Sequence, residues 1–508
     1  MKRFALLVLI LAGFAIGIAT TTPPAHAGLF GSKKTASPTP SPSPSALPTA
    51  TPEPPAIAIP RLVAKLKANP ADQLAMAQLA AEYLQVGRPD ITLQYTQHLL
   101  QMGDKTAQVF YYDGVAYEQL GNAAGATYDL EQASNLDPTN LGILAQLTEI
   151  YIKENRFNDA ERIAKRAVTF NKNDALALQT LGSVYAAEQH FDDARAQFEA
   201  AFAIGGKDTA PLFQIATTYA QQDNIPMALQ TLGRILTIDP RNIQALVFKA
   251  DLYARQHDDA HATAAYDDAV VVAPTDDQKV EIMIHKAGYF IAEKKDPQGV
   301  AILQQMTTQF PKVPQGFVAF GDYYATQRQY DRAIAQWQSA LALDPNNSAA
   351  LLGLGQVSLQ NGRLNDSINY LRHYTQVQPD AQGFALLGQA YSRVHDYSGA
   401  RDACSKSFEL QRSPVTLSCV AGADFELRNY KEAAQIFDAL QRAAKNFLDN
   451  NPELLYIAAK SYSGSNQCSK AVATYKLLLP MMKKGTKDYD TIRKAASDPC
   501  HVVSKHSG

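Results

Sequence analysis

The chain has few of the features that mark enzymes, membrane spans or nucleic-acid-binding proteins. Its 508 residues carry a formal net charge of −2, so no basic excess favours nucleic acid or an anionic membrane surface. Beyond the N-terminus, no hydrophobic run is long enough to span a bilayer. There is no Gly-x-Ser-x-Gly nucleophile elbow and no nucleophile–base arrangement. We therefore expect no catalysis, no cofactor, no metal and no nucleic-acid partner.

What the sequence does have is a fixed period of 34 residues. Six tyrosines follow one another at this spacing: Tyr83, Tyr117, Tyr151, Tyr185, Tyr219 and Tyr253. The position continues, with small slips, through Phe290, Tyr324, Ser358, Tyr391, Phe425 and Tyr462. A small residue stands three positions before each of these, and alanine stands nine positions after most of them. Such a period is typical of stacked supersecondary units that lack a single globular core.

The residue types within one unit predict two short antiparallel helices. Apolar and small residues recur at helical spacing through Leu178 and Gly182 to Tyr185, and a second stripe includes Ala194 and Phe198. We expect Gly182 to lie opposite Ala194, where small side chains allow the two backbones to approach. The two aromatic rings then fill the wider spaces beside that contact.

These positions resemble the tetratricopeptide repeat (TPR). The fullest copies are Leu181-Gly182…Tyr185…Ala194…Phe198 and Phe320-Gly321…Tyr324…Ala333…Trp337…Pro345. The resemblance implies an all-α fold, a right-handed α-solenoid superhelix of about twelve helix pairs over residues 73–485. Some copies depart from the pattern, because Thr92, Gly299 and Ser367 replace the alanine of the second helix. These departures concern local packing only.

The first 27 residues have the anatomy of a secretory signal peptide. Lys2 and Arg3 precede an apolar stretch over residues 4–19, and residues 25–27 (Ala-His-Ala) offer the small-x-small pattern that signal peptidases cut. Cleavage would make Gly28 the first residue of a periplasmic or secreted protein. The alternative is an uncleaved anchor, and only then do we expect a membrane association.

Two further segments flank the repeats. Residues 28–59 are rich in Pro, Ser and Thr, which predicts a disordered linker of polyproline II character. Residues 60–72 read as an N-terminal capping helix that begins at proline, and residues 486–508 as a C-terminal capping helix and tail.

All four cysteines lie near the C-terminus, and a secretory signal would allow them to form disulfides. Cys468 and Cys500 are separated by nearly one repeat, so stacking would place them at neighbouring turns. Cys404 and Cys419 lie at similar heights on antiparallel neighbouring helices. We therefore expect the pairs Cys468–Cys500 and Cys404–Cys419, with free buried cysteine as the alternative. Four cysteines allow three connectivities.

Three local patterns resemble functional motifs without their structural context. His257-Asp-Asp-Ala-His261 is similar to a zinc-hydrolase motif, but the repeat register places it across a turn, where four-residue spacing does not define one face. Gly353-Leu-Gly355 lies within a predicted helix, and Gly205-Gly206-Lys207 lacks the spacing of a phosphate-binding loop. We interpret all three as structural.

The resemblance implies a concave groove lined by the first helix of each repeat. Its candidate binding residues are Tyr111, Glu118, Glu149, Lys153, Gln179, Phe213, Gln221, Asp251, Arg255, Asp322, Gln356, Gln389, Arg393 and Tyr456. Family members that grip a C-terminal carboxylate use Lys and Asn in adjacent repeats at these positions, and that pairing is absent here. Any one of these residues is as readily explained by simple solvation as by binding.

The sequence therefore predicts a non-catalytic extracytoplasmic scaffold that binds proteins or peptides through the groove. A more specific alternative is a periplasmic assembly component for polysaccharide export or envelope biogenesis, where similar long arrays occur. An alternative of another class, an enzyme with its site in the groove, is disfavoured because no catalytic arrangement is found.

Overall fold

The computed structural model describes residues 53–497 and Cys500. The predicted signal peptide, the linker up to residue 52 and the last eight residues of the tail lie outside the described residues. The described chain falls into two compact units, the N-terminal unit of residues 53–273 and the C-terminal unit of residues 274–500.

The N-terminal unit consists of one leading helix, α1 (Pro55–Ala68), and six helix pairs. The pairs are α2 (Gln73–Gln85) with α3 (Pro89–Gln101), α4 (Ala107–Gln119) with α5 (Ala123–Leu136), α6 (Leu141–Lys153) with α7 (Phe157–Phe170), α8 (Ala175–Ala187) with α9 (Phe191–Gly205), α10 (Ala210–Gln221) with α11 (Ile225–Ile238), and α12 (Ile243–Arg255) with α13 (Asp259–Val272). The first helix of each pair is called helix A and the second helix B.

The C-terminal unit also consists of six pairs, with one inserted helix and one closing helix. Its helices are α14 (Asp276–Ala292) with α15 (Asp296–Gln309), α16 (Pro314–Thr326) with α17 (Tyr330–Leu343), α18 (Ser348–Gln360) with α19 (Leu364–Val377), α20 (Ala381–Arg393) with α21 (Tyr397–Leu410), α22 (Pro414–Glu426) with α23 (Tyr430–Ala443), the short α24 (Lys445–Asp449), α25 (Pro452–Gly464) with α26 (Cys468–Leu478), and α27 (Lys487–Ser497). A 3₁₀ turn, Leu479–Met481, follows α26.

The predicted fold class, an all-α solenoid of about twelve helix pairs, is confirmed over the part of the chain that the structure describes. That part contains no strand. None of its helices combines the length and the apolarity that a bilayer crossing requires.

Small residues bring helix A and helix B together within each pair. A Cβ atom added at Gly114 would lie 3.2 Å from the carbonyl oxygen of Ala126, which is the predicted approach of the two backbones. At Gly182 the nearest atoms belong to Phe198 instead, with its Cε1 2.6 Å from an added Cβ, while Ala194 is fully buried. The space beside Gly182 is therefore taken by the aromatic ring, because interiors are close-packed.

The three departures from the helix-B alanine are each accommodated by local packing. The hydroxyl of Thr92 donates to the carbonyl oxygen of Ala80 at 3.0 Å, and the hydroxyl of Ser367 donates to that of Gly355 at 2.8 Å. Gly299 leaves room for Ile291, whose Cγ1 would lie 2.6 Å from an added Cβ. In two repeats the extra polar atom thus finds a backbone acceptor on helix A.

The turn from helix A to helix B requires a left-handed residue in every repeat. Glycine supplies it at Gly87, Gly121 and Gly362, with φ of 73°, 78° and 73°. Nine other turns use a residue with a side chain: Asn155, Gln189, Asp223, His257, Lys294, Arg328, His395, Arg428 and Asn466. Because His257 lies in such a turn, His257 and His261 do not share one continuous helix, as the repeat register predicts.

The N-terminal capping helix differs from the prediction in its bounds. Helix α1 begins at Pro55, so residues 55–59, which the sequence analysis assigned to the linker, are helical and Pro60 lies inside the helix. The earlier start buries Ala58 one turn before Leu62, and Leu62 packs with Ala75 of α2. At the other end α27 buries Ile492 and Ala496 in the core of the last repeats.

Candidate binding surface

The helix-A face is the surface formed where the A helices of successive repeats lie beside one another within each unit. In the N-terminal unit α2 contacts α4 and α6 contacts α8, and in the C-terminal unit α16, α18, α20, α22 and α25 contact one another in order. All fourteen candidate residues lie on A helices.

One cluster on the helix-A face joins α4 to α6. The ammonium group of Lys153 lies 2.5 Å from the Oε1 of Glu118 and 2.8 Å from that of Glu149. The amide of Gln146 donates to the second oxygen of Glu118 at 2.6 Å. Burial lowers the pKa of Lys153, but the hydrogen bonds to Glu118 and Glu149 outweigh it and raise that pKa. Lys153 thus bridges the carboxylates of two repeats, and the cluster keeps one net negative charge.

Tyr111 lies in the electric field of the same cluster. Burial raises the pKa of its phenol to about 12, and the neighbouring Tyr112, Glu118 and Glu149 add to the effect. Its half-buried ring lies 5.7 Å from that of Tyr112, centroid to centroid. Tyr111, Glu118, Glu149 and Lys153 are therefore one group of neighbours, which the sequence could only place on the same kind of helix.

Two candidate arginines bind the end of the preceding helix A. Arg255 donates to the carbonyl oxygen of Ala220 at 3.2 Å and to the carboxylate of Asp223 at 3.1 Å. Arg393 donates to the carbonyl oxygen of Leu359 at 2.5 Å, and burial lowers its pKa. A cation at a helix C-terminus satisfies free carbonyl groups and the helix dipole. Both arginines thus hold neighbouring repeats together.

Two candidate carboxylates bind the large aromatic residue of their own helix B. The hydroxyl of Tyr266 donates to Asp251 at 2.5 Å, and the indole Nε1 of Trp337 donates to Asp322 at 3.0 Å. Both rings are almost fully buried, so their polar atoms need a partner. This structural role explains the acids at these positions without any ligand.

The remaining candidates are aromatic or amide residues on the helix-A face. Phe213 of α10 packs against Phe248 of α12, with ring centroids 5.3 Å apart. Tyr456 of α25 lies 5.4 Å from the ammonium group of Lys460. The four glutamines are half-buried, apart from the exposed Gln221. They are Gln179, Gln221, Gln356 and Gln389.

The structure contains both of the disulfides that the sequence analysis expects. Cys404 of α21 is joined to Cys419 of α22, with Cα atoms 5.6 Å apart, and Cys468 of α26 to Cys500, with Cα atoms 5.9 Å apart. The first links helix B of one repeat to helix A of the next. The second ties the segment after α27 to the start of α26. Both separations lie in the usual range for disulfides.

Sequence reasoning missed one polar cluster beside the helix-A face, formed by Thr96, Asp113 and Asp129. Its signal was present in the sequence, because Asp113-Gly114 stands where other repeats have Leu181-Gly182 or Phe320-Gly321. Among residues 53–497 and Cys500, no group of His, Cys, Asp and Glu side chains has the geometry of a metal site.

Comparison with protein families finds related repeats in both units. A family model described as the tetratricopeptide repeat protein 21 C-terminal ARM domain matches residues 106–245. A second model, described as tetratricopeptide repeat, matches residues 318–383. No curated protein sequence matches the chain.

Several solved structures are similar to the chain at low identity. Yeast Tom70 is 16% identical, with 75% of this chain and 94% of that chain covered and a TM-score of 0.38. PilF of Pseudomonas aeruginosa is 17% identical, with 42% and 97% covered and a TM-score of 0.33. A thermophilic TPR protein of Thermus thermophilus is 20% identical, with 35% and 98% covered and a TM-score of 0.32. These TM-scores are too low to carry an inference about function. The two family matches lie within the array of helix pairs, so each unit contains a segment similar to tetratricopeptide repeats.

Proposed function

We propose that the protein is a non-catalytic extracytoplasmic scaffold that binds proteins or peptides through its helix-A face. The observation that supports this proposal is the network of ion pairs and hydrogen bonds between repeats on that face. Lys153 bridges Glu118 and Glu149, and Arg255 and Arg393 bind the preceding helix. A ligand would therefore meet a firmly held surface on which aromatic and amide groups are available beside the exposed carboxylate of Glu149.

Aromatic side chains suit this role because they bury much area for little loss of conformational freedom. Phe213 and Tyr456 supply such contacts, one in each unit, and both remain partly exposed. Stable repeats that present such residues on adjacent helices offer an extended segment several contacts at a fixed spacing.

The extracytoplasmic location is supported by two features of different kinds. The first is the charged, apolar and small-x-small pattern of the first 27 residues. The second is the pair of disulfides, which persist in oxidising compartments. Fractionation of cells followed by N-terminal sequencing tests the proposal, with Gly28 expected as the first residue. A first residue at Met1 would favour the retained anchor.

Selection from a random-peptide library displayed on phage tests the binding proposal. We expect enriched peptides, and the affinity of one synthetic peptide is then measured by fluorescence anisotropy for Phe213→Ala and Tyr456→Ala. Loss of an anchoring aromatic residue should weaken binding by about fivefold or more in at least one of the two variants.

Phe170→Ala is the matched control, because Phe170 is half-exposed at the end of a B helix and lies away from the helix-A face. Its affinity should equal that of the unmodified protein, and melting curves must show that all three variants fold. Absence of enrichment, or undiminished binding by both helix-A variants, would refute the proposed surface.

A further inference from the structure

The second repeat buries two carboxyl groups against each other. Asp113 of α4 and Asp129 of α5 are only 3% and 5% exposed. The two carboxyl groups lie against each other, so that each acts on the pKa of the other, and the hydroxyl of Thr96 of α3 donates to Asp113. This network therefore fastens three consecutive helices at one buried point.

Two carboxyl groups that are buried against each other need a proton. Ionised carboxylates only accept hydrogen bonds, and two of them in contact repel each other, so one of the pair must be protonated. Burial raises the pKa of Asp129 to about 7, and the charge and hydrogen bond of Asp113 add to the rise. Burial also raises the pKa of Asp113, while the hydrogen bonds from Thr96 and Asp129 act in the opposite direction.

The titratable groups on the surrounding helices do not stabilise a second negative charge on the two acids. They are Glu82 and Tyr83 of α2; Asp90, Tyr95 and His98 of α3; Tyr111, Tyr112, Tyr117 and Glu118 of α4; Tyr128 and Glu131 of α5; Glu149, Tyr151 and Lys153 of α6, with Glu154 after it; and Arg166 of α7. Lys153 is paired with Glu118 and Glu149, and Arg166 donates to Ser134 at 2.5 Å. None of these groups is among those that move the pKa of Asp113 or Asp129.

We propose that Asp113 and Asp129 share one proton in the folded protein, and that loss of this proton loosens the packing of α3, α4 and α5, so that the second repeat responds to pH. Helix α4 also carries Tyr111 and Glu118, so a loosening of α4 also disturbs the helix-A face. This pH response goes beyond the proposed binding function, since its first consequence is a change in the local stability of the second repeat.

The direction of the pH effect follows from proton linkage. The folded pair binds a proton more tightly than the unfolded chain, where an aspartate titrates at about 4. Its contribution to stability is therefore complete below about pH 4 and is lost as the pH rises toward the folded pKa of about 7. Within that window the local opening constant should rise by about tenfold per pH unit, and above it the curve should flatten.

Hydrogen exchange followed by mass spectrometry tests this on the whole protein and needs no ligand. The readout is the protection factor of α4 and α5 divided by that of α10 and α11 at each pH, which removes the intrinsic pH dependence of exchange. Helices α10 and α11 contain no Asp, Glu or His. Between about pH 5 and pH 7 this ratio should fall by tenfold or more in the unmodified protein. The double variant Asp113→Asn/Asp129→Asn keeps the side-chain shapes, and its ratio should stay constant within about twofold.

Asp424→Asn is the matched control, because Asp424 is equally buried but accepts a hydrogen bond from the Nε of Arg401 at 2.6 Å. This variant should retain the pH dependence of α4 and α5. A ratio that is constant with pH in the unmodified protein, or a slope that survives in the double variant, would overturn the proposal. Either result leaves the peptide-selection experiment unaffected, so the two proposals fail separately.

Discussion

The two units bury carboxyl groups in opposite ways. In the N-terminal unit Asp113 meets a second acid, Asp129, and the pair depends on a proton. In the C-terminal unit Asp424, 1% exposed, meets the guanidinium of Arg401 and accepts a further hydrogen bond from Asn429 at 3.1 Å. A buried charge needs a compensating group. The same repeat architecture therefore accommodates a proton-dependent solution in one unit and an ion pair in the other.

The two units also differ in their covalent links. The N-terminal unit contains no cysteine, and both disulfides lie between Cys404 and Cys500 in the C-terminal unit. Each repeat of a solenoid is stabilised by its neighbours only, so an end repeat lacks half of its support. At the start of the N-terminal unit the packing of α1 on α2 compensates for this, whereas the last pair, α25 and α26, has α27 and a disulfide.

The largest expected effect concerns this covalent difference. Cys500→Ser opens the disulfide to Cys468, which spans 32 residues, and chain entropy predicts a loss of roughly 3–4 kcal/mol in local stability. Helices α26 and α27 should open first. Limited proteolysis should then cut after Tyr462 while the N-terminal unit stays protected.

Peptide mapping of the non-reduced protein gives the control for this prediction. It should recover Cys468 linked to Cys500 and Cys404 linked to Cys419. A free thiol at Cys500 would contradict the stapled end, as would a Cys500→Ser variant whose last two helices resist protease as well as those of the unmodified protein.

The next prediction removes the cation beside the buried acid of the C-terminal unit, so that this acid, like those of the N-terminal unit, has no positive partner. Arg401→Gln leaves Asp424 buried without its cation, and because Arg401 is itself 43% exposed we expect a loss of about 2 kcal/mol around α22 at neutral pH. Hydrogen exchange of α21 and α22 measures it.

Arg363→Gln is the matched control, since Arg363 and Asp331 form a loose, exposed pair at 3.7 Å. An exposed pair contributes at most about 1 kcal/mol, so this change should hardly affect α18 and α19. Equal losses from the two arginine variants would remove the contrast between buried and exposed acids.

The fold could be predicted from the sequence because residues that determine the packing recur at the same positions in each repeat. A small residue stands at the position of Gly182 in every copy, and an aromatic residue stands at the position of Tyr185 in all but one, so each repeat confirms the register of the others. The start of α1 was placed wrongly because one proline, Pro60, resembled a helix N-terminus. Burial of Ala58 outweighed that local signal, and a single unrepeated segment has no periodic pattern that reveals such burial.

The binding surface could be predicted only as a set of positions. The sequence places Glu118, Glu149 and Lys153 on A helices, but their mutual contacts depend on how far successive repeats are offset. Arg255 and Arg393 are candidates on the sequence alone, and the structure adds that both donate to carbonyl groups of the preceding helix A. Side-chain partners across repeats are set by tertiary packing, which a periodic pattern does not encode.

The smallest expected effect tests a rule that the two units share, the left-handed turn from helix A to helix B. Gly121 in the N-terminal unit has φ of 78°, and Arg328 in the C-terminal unit has φ of 56°. Gly121→Ala has space for its methyl group but forces a side chain into the left-handed region, so it should cost about 1 kcal/mol. Arg328→Gly should stabilise its repeat by up to about 1 kcal/mol, because the relief of strain exceeds the extra freedom of glycine in the unfolded chain. Hydrogen exchange of α4 and α16 should thus shift in opposite directions. Shifts of the same sign would mean that the arginine turn is stabilised by contacts of its own, and the two units would then differ in their turns as well as in their buried acids.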